Sequence, residues 1–280
     1  MADRLDPRPI GVFDSGVGGL TVLSELRGRL PRESTVYLGD NGRAPYGPRP
    51  AEQVRRFTLE AVDWLLEQDV KLLVLACNTA TARALAAVRA RSTVPVLGVV
   101  RPGAVAAASA TRTGHVAVIA TAGTIESDAY PEAIVEAAPR TRVAQLACPE
   151  LVPMVETGIL EGRRAESVLR AYLEPLLDGT PRIDTLLLGC THYPLLRPVI
   201  EEIVGEGVAV VDSAFTTALA VEDLLDALGA RSDPGREAWH RVATTGDVEA
   251  FLGVAARLFG ERLPQVEAVR IEPAGAIPLD

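Results

Sequence analysis

Two cysteines frame the chemistry open to this sequence. The run "LLVLACNTA" at residues 72–80 is apolar as far as Ala76 and then turns to Cys77, Asn78 and Thr79. The run "TLLLGCTHY" at 185–193 does the same, with Gly189 followed by Cys190, Thr191 and His192. The chain has 280 residues and 3 cysteines, and two of the three stand at matching ends of matching runs. A single free cysteine reads as a small buried hydrophobe. Two at equivalent strand ends, each followed by polar residues, point to a shared task. Similar acid/base groups on opposite sides of a substrate suit racemisation of a carbon acid. One removes a proton from one face and the other delivers a proton to the opposite face. An unperturbed thiol, with a pKa of about 8.5, reaches both protonation states near neutrality. The helix start in "CNTATARAL" and the nearby His192 can tune it.

The rival chemistries are weaker. Pyridoxal phosphate acidifies amino-acid α-protons through a Schiff-base lysine. Of the 28 Lys and Arg residues only Lys71 is a lysine, and it opens a strand, at the end remote from a ligand site. The sequence therefore points to a reaction without a cofactor. Cys190 and His192 could share a metal, but a catalytic zinc takes three protein ligands, and His115 and His240 have no partner at ligand spacing. No metal is expected, and His192 reads as a proton-relay partner of Cys190. A thiol–disulfide redox protein ranks low because no C-x-x-C is present.

These residues need a scaffold that brings strand ends together. Residues 10–13, 35–40, 70–76 and 94–100 read as strands; 20–30, 51–68 and 79–91 read as helices. The alternation predicts an α/β fold, a parallel sheet with helices on both faces, and ligands beyond the carboxyl ends of its strands. Asp14, Asp40 and Cys77 fall at such ends. The pattern restarts with strands at 115–120, 185–189 and 207–214 and helices at 165–177, 218–228 and 249–260. The halves align. Ala51 precedes Cys77 by 26 residues, Ala165 precedes Cys190 by 25, and "VFDSG" matches "VIATAG", which sets Ser15 against Thr121. An internal duplication follows: two doubly wound parallel-sheet lobes related by a pseudo-two-fold, with Cys77 and Cys190 flanking one cleft.

The bulk composition narrows the partners. A net charge of −9 argues against a general binder of nucleic acid or anionic membranes. The start "MADRLDPRPI" has no apolar signal core and no run approaches the roughly 18 residues of a membrane span. A cytoplasmic location with reduced thiols is the expectation.

Five ordered motifs carry a resemblance. "GVFDSGVGGLTVL", "GDNGRAPYGPR", "LACNTATA", "TAGTI" and "LLLGCTHYPLL" together resemble the glutamate racemases of the aspartate/glutamate racemase superfamily, from about residue 10 to 220. A lone "GVGG" would say little, and it lacks the Gly-Lys-Ser/Thr of a phosphate loop. The resemblance implies cofactor-independent interconversion of L- and D-glutamate, supplying D-glutamate for peptidoglycan. It implies that Cys77 works on D-glutamate assisted by Asp14, and Cys190 on L-glutamate assisted by His192 and Glu156. It implies a substrate-binding set of Asp14, Ser15, Pro45, Tyr46, Gly47, Asn78, Thr79, Thr121, Thr124, Thr191 and His192. Such neutral donors suit a dicarboxylate. They also cap helices and form turns, as Thr79 and Pro45–Gly47 would.

The resemblance further implies a homodimer and, for some members, an association with DNA gyrase. It leads to one discontinuous lobe of residues 1–99 and 212–265, a second of 100–211, and a tail of 266–280. The strand near 208–213 is expected to return the chain to the first lobe. Arg101 stands where glutamate is common and Asp128 where glycine is. Cys148, in "LACPEL", is expected to be structural. The alternatives are a racemase of another acidic amino acid such as aspartate, and a regulatory binding protein on the same fold.

Overall fold

The computed structural model describes residues 5–260 and 265–271. The first half runs β1 (Ile10–Asp14), α1 (Leu20–Arg29), β2 (Thr35–Gly39), α2 (Ala51–Leu66), β3 (Leu72–Leu75), α3 (Asn78–Arg91) and β4 (Val96–Gly98). The second runs α4 (Val100–Ala110), β5 (His115–Ala120), α5 (Ala122–Ile125), α6 (Ala129–Ala137), β6 (Arg142–Ala147), α7 (Leu151–Glu156), α8 (Gly162–Leu177), β7 (Thr185–Gly189), α9 (Arg197–Val204) and β8 (Ala209–Asp212). The chain then adds α10 (Ser213–Leu228), β9 (His240–Thr244), α11 (Val248–Phe259) and β10 (Val266–Ala268).

The strands form two parallel sheets, ordered β10-β9-β2-β1-β3-β4 and β6-β5-β7-β8. The shared core order is the same: β2-β1-β3-β4 in one and β6-β5-β7-β8 in the other. Cys77 and Cys190 follow β3 and β7, the equivalent strands. β1, β3 and β7 are buried along their whole lengths, which is why they read as unbroken apolar runs. Helices cover both faces, α2 packing with α3 and α1 with α10; in the second half α4 packs with α6 and α10.

Two expectations are corrected. The strand near 208–213 does not return the chain to the first sheet. As β8 it pairs with β7, from Thr185↔Ala209 to Leu188↔Asp212, and closes the second sheet as β4 closes the first. The return is made by α10, packed on α1, and by β9, which pairs with β2 from Thr35↔His240 onward. The segment assigned to a tail also begins as structure, because β10 pairs in parallel with β9. Residues 272–280 lie outside the described residues.

The two unusual positions have local explanations. Asp128 has φ +55°, a left-handed conformation that glycine adopts freely and short polar residues tolerate. Its carboxylate accepts a hydrogen bond from Gln145 Nε2 at 2.8 Å. Arg101 pairs with Glu136 at 3.1 Å on the surface, with both side chains more than two-thirds exposed, so the pair contributes little. Lys71 is fully used at the far end of the first sheet, where Nζ meets Glu33 at 2.6 Å. Among the described residues no helix is long and apolar enough to cross a membrane.

Candidate active site

Cys77 sits where β3 gives way to α3. It is the N-cap of that helix, and its Sγ accepts a hydrogen bond from Ala80 N at 3.4 Å. The Sγ also lies 3.4 Å from Ser15 Oγ. Burial pushes this thiol up to about 12, and the Asp14 charge adds to the effect; Ser15 and the Ala80 N–H oppose it without prevailing. Cys77 therefore holds its proton at neutral pH.

Cys190 has a different neighbourhood. Its Sγ lies 3.9 Å from His192 Nδ1, and His192 Nε2 lies 3.1 Å from Glu156 Oε1. The three form a chain from the buried sulfur to the half-buried carboxylate that closes α7. Burial opposes a charge on His192, but its bonds to Cys190 and Glu156 outweigh burial and raise the imidazole to about 10. A pKa raised on folding stabilises the fold fully below the unfolded value and loses that contribution as pH rises through the folded one. The stability advantage of the wild type over His192→Asn, read from urea unfolding, is thus expected to be largest below pH 6.5 and to decay toward pH 10. A difference independent of pH would mean that folding leaves the imidazole pKa unchanged, and one that grows as pH rises to 6.5 would mean that folding keeps it neutral.

Asp14 closes β1 with no exposure. Its Oδ2 accepts from Gly16 N at 3.0 Å, while Oδ1 has no partner. Burial raises this carboxyl, against the charge of His192 and the N–H groups of Gly19, Gly16 and Ser15. It does not line the cavity, and its charge bears on the Cys77 thiol.

The lobes meet through the polar residues named from sequence. Thr79 Oγ1 lies 2.8 Å from Thr121 Oγ1 and 3.2 Å from Thr124 Oγ1, and the last two are 3.1 Å apart. Thr124 is fully buried and reaches the cavity only through its two partners. Gly123 N donates to Gly47 O at 2.9 Å. A Cβ at Gly123 would lie 2.7 Å from that oxygen, so the approach of the lobes requires glycine there. Tyr46 borders the cavity, but its hydroxyl is committed to Asp40, which leaves its ring and backbone to shape the wall.

Gly18 is a functional position that the sequence hid. The "GVGG" run reads as a feeble phosphate loop, yet its work is clearance. A Cβ at Gly18 would lie 2.4 Å from Thr191 Oγ1 and 2.5 Å from His192 Nδ1. Gly18→Ala is expected to displace His192 and lower kcat about 10²-fold with the fold intact. The check is kcat together with the melting temperature; wild-type kcat would show that the imidazole has another place to sit.

The cavity has a volume of about 530 Å³. Ser15, Pro45, Asn78, Thr79, Thr121 and Thr191 line it together with both cysteines. Among the described residues, Glu156 and His192 are its only charged lining residues. The start of α3 at Asn78 and Thr79 borders it, and N–H groups at a helix start favour anions. Cys148, expected to be structural, is buried and also lines this same cavity. The available signal was "LAC", which ends both at Cys77 and at Cys148. Among the described residues no three or more His, Cys, Asp or Glu side chains are grouped to hold a metal ion.

Two buried thiols thus face one cavity at equivalent ends of two like parallel sheets, the arrangement expected of an amino-acid racemase, and sequence comparison places the chain among such proteins. Residues 21–222 match the model of the Asp/Glu/hydantoin racemase family, and the chain belongs to that family. A glutamate racemase of Oceanobacillus iheyensis is 47% identical over 254 residues, 91% of this chain and 92% of that one. The crystal structure of a glutamate racemase isoform from Bacillus anthracis superposes with a TM-score of 0.90 at 43% identity, covering 94% of this chain and 98% of that one. A Francisella tularensis glutamate racemase, solved with D-glutamate, gives a TM-score of 0.88 at 32% identity, covering 96% and 99%.

Proposed function

We propose that this chain interconverts L- and D-glutamate by a two-base mechanism that uses only its own side chains. The observation that carries the reading is the pair of buried thiols, Cys77 and Cys190, at equivalent strand ends on one cavity. The relatives that match nearly the whole chain are glutamate racemases, which favours glutamate over aspartate. In the L-to-D direction Cys190 takes the α-proton as a thiolate. The electron pair left on Cα takes the proton of the Cys77 thiol from the opposite face. Cys77 ends as thiolate and Cys190 as thiol, and protons exchanged with solvent restore the starting form. A Cys77 that holds its proton at rest is ready for this direction. His192, linked to the half-exposed Glu156, provides the proton path on the Cys190 side. Neutral hydroxyls and amides bind the carboxylates, and these fixed dipoles stabilise charge as it builds at Cα. A role in supplying D-glutamate for peptidoglycan, and a homodimeric enzyme, go with this reading.

The test is proton NMR of L- and then D-glutamate with enzyme in D₂O, followed by polarimetry. Loss of the α-proton signal from both enantiomers, with optical activity falling to zero, is the expected result. Exchange of aspartate alone would keep the mechanism and replace the substrate. No exchange with any acidic amino acid would remove the reading.

A further inference from the structure

Tyr130 touches the residues next to both thiols without lining the cavity. It lies on α6 with no exposure. Its ring fills the space beside Gly189, the residue before Cys190: a Cβ there would lie 2.9 Å from Tyr130 Cε2. The same ring faces Gly103 of α4, where an added Cβ would stand 3.6 Å from Tyr130 Cε1. Its hydroxyl crosses to the other lobe and accepts a hydrogen bond at 2.7 Å from Nδ2 of Asn78, the residue after Cys77. The same Nδ2 donates to Ser213 Oγ at 3.3 Å. Both amide protons of Asn78 are thereby used, and its Oδ1 is buried with no partner. Asn78 is 3% exposed and lines the cavity.

An orphaned buried acceptor beside a substrate cavity calls for a donor. The ammonium of an amino acid is donor-only and meets that need. The reversed amide would offer N–H groups to an ammonium and bind nothing.

We propose that Tyr130 is a positioning residue. Its hydroxyl, with that of Ser213, holds the Asn78 amide so that Oδ1 receives the substrate ammonium, and its ring sets the approach of the strand bearing Cys190. This rests on the racemase reading above and deepens it. The ammonium contact is made equally in the ground and transition states, so its loss falls on KM and leaves kcat in place.

Tyr130→Phe keeps the ring and removes only the hydroxyl. The expected result is a KM for glutamate raised about tenfold in both directions, with kcat within about threefold of wild type. In an Asn78→Ala background the same substitution is expected to add less than about twofold, because its effect runs through Asn78. A merely structural tyrosine would give additive losses in that double variant. Additive losses, an unchanged KM, or a loss confined to kcat overturn the assignment. If the wild type turns over no glutamate, the racemase reading fails first, and the Tyr130 assignment with it.

Discussion

Cys77→Ser and Cys190→Ser each lose racemisation in both directions by a factor of about 10³ or more, the range that general acid–base catalysis supplies. The loss cannot be one-sided. Enantiomers have equal free energies, so the equilibrium constant is one, and kcat/KM must be equal in the two directions for every variant. Sidedness appears instead in exchange. Each variant keeps one thiol, which can remove and return a proton on one face without inverting the centre. In D₂O, Cys190→Ser is expected to exchange D-glutamate slowly with retention, and Cys77→Ser to do the same with L-glutamate. Both serines fit the space of the buried sulfurs, so far-UV circular dichroism and melting should stay near wild type. Substantial racemisation by either variant would end the two-base reading.

Asp14→Asn is the second large effect, expected to lower kcat about 10²-fold. Asp14 is buried, one of its oxygens has no partner, and its charge raises the Cys77 pKa. A thiolate beside that charge is a stronger base. Neutralising Asp14 removes the repulsion, so the Cys77 pKa must fall. The pH profile of iodoacetamide alkylation at Cys77, followed in a Cys190→Ser background, is expected to move to lower pH. A profile that stays in place would mean that Asp14 acts only through its bonds to the Ser15–Gly19 loop. The isotope effect separates the two sides of the site: proton removal from D-glutamate should become more rate-limiting than removal from L-glutamate.

Much of the fold was legible because its central strands are buried on both faces. β1, β3 and β7 show as apolar runs, and the amphipathic α2 and α8 show as periodic patterns that align with each other. The less legible elements lie at the edges. β6 is partly exposed along its length, so "RVAQLA" has no continuous apolar signal. α4 opens with "VRPG", which reads as a break, yet Pro102 falls in the first turn, where a helix has no N–H bond to lose. β9 is five residues long and begins with the polar His240 and Arg241. The sheet that β8 joins could not be read locally, since "AVVD" would suit either one.

The sequence by itself determined the chemistry: two thiols at equivalent strand ends, a histidine two residues beyond one of them, an aspartate closing the first strand, and a single lysine placed too far away to serve. Residue type and spacing along one strand or helix start are enough to establish those facts. Only the tertiary structure decided the rest. The seat of His192 against Gly18, the three threonine hydroxyls joining the lobes, Cys148 in the cavity wall and Tyr130 between Asn78 and Gly189 all join residues tens to more than a hundred positions apart. Such contacts leave no periodicity and no local propensity behind. They arise from how two sheets of like order are set face to face.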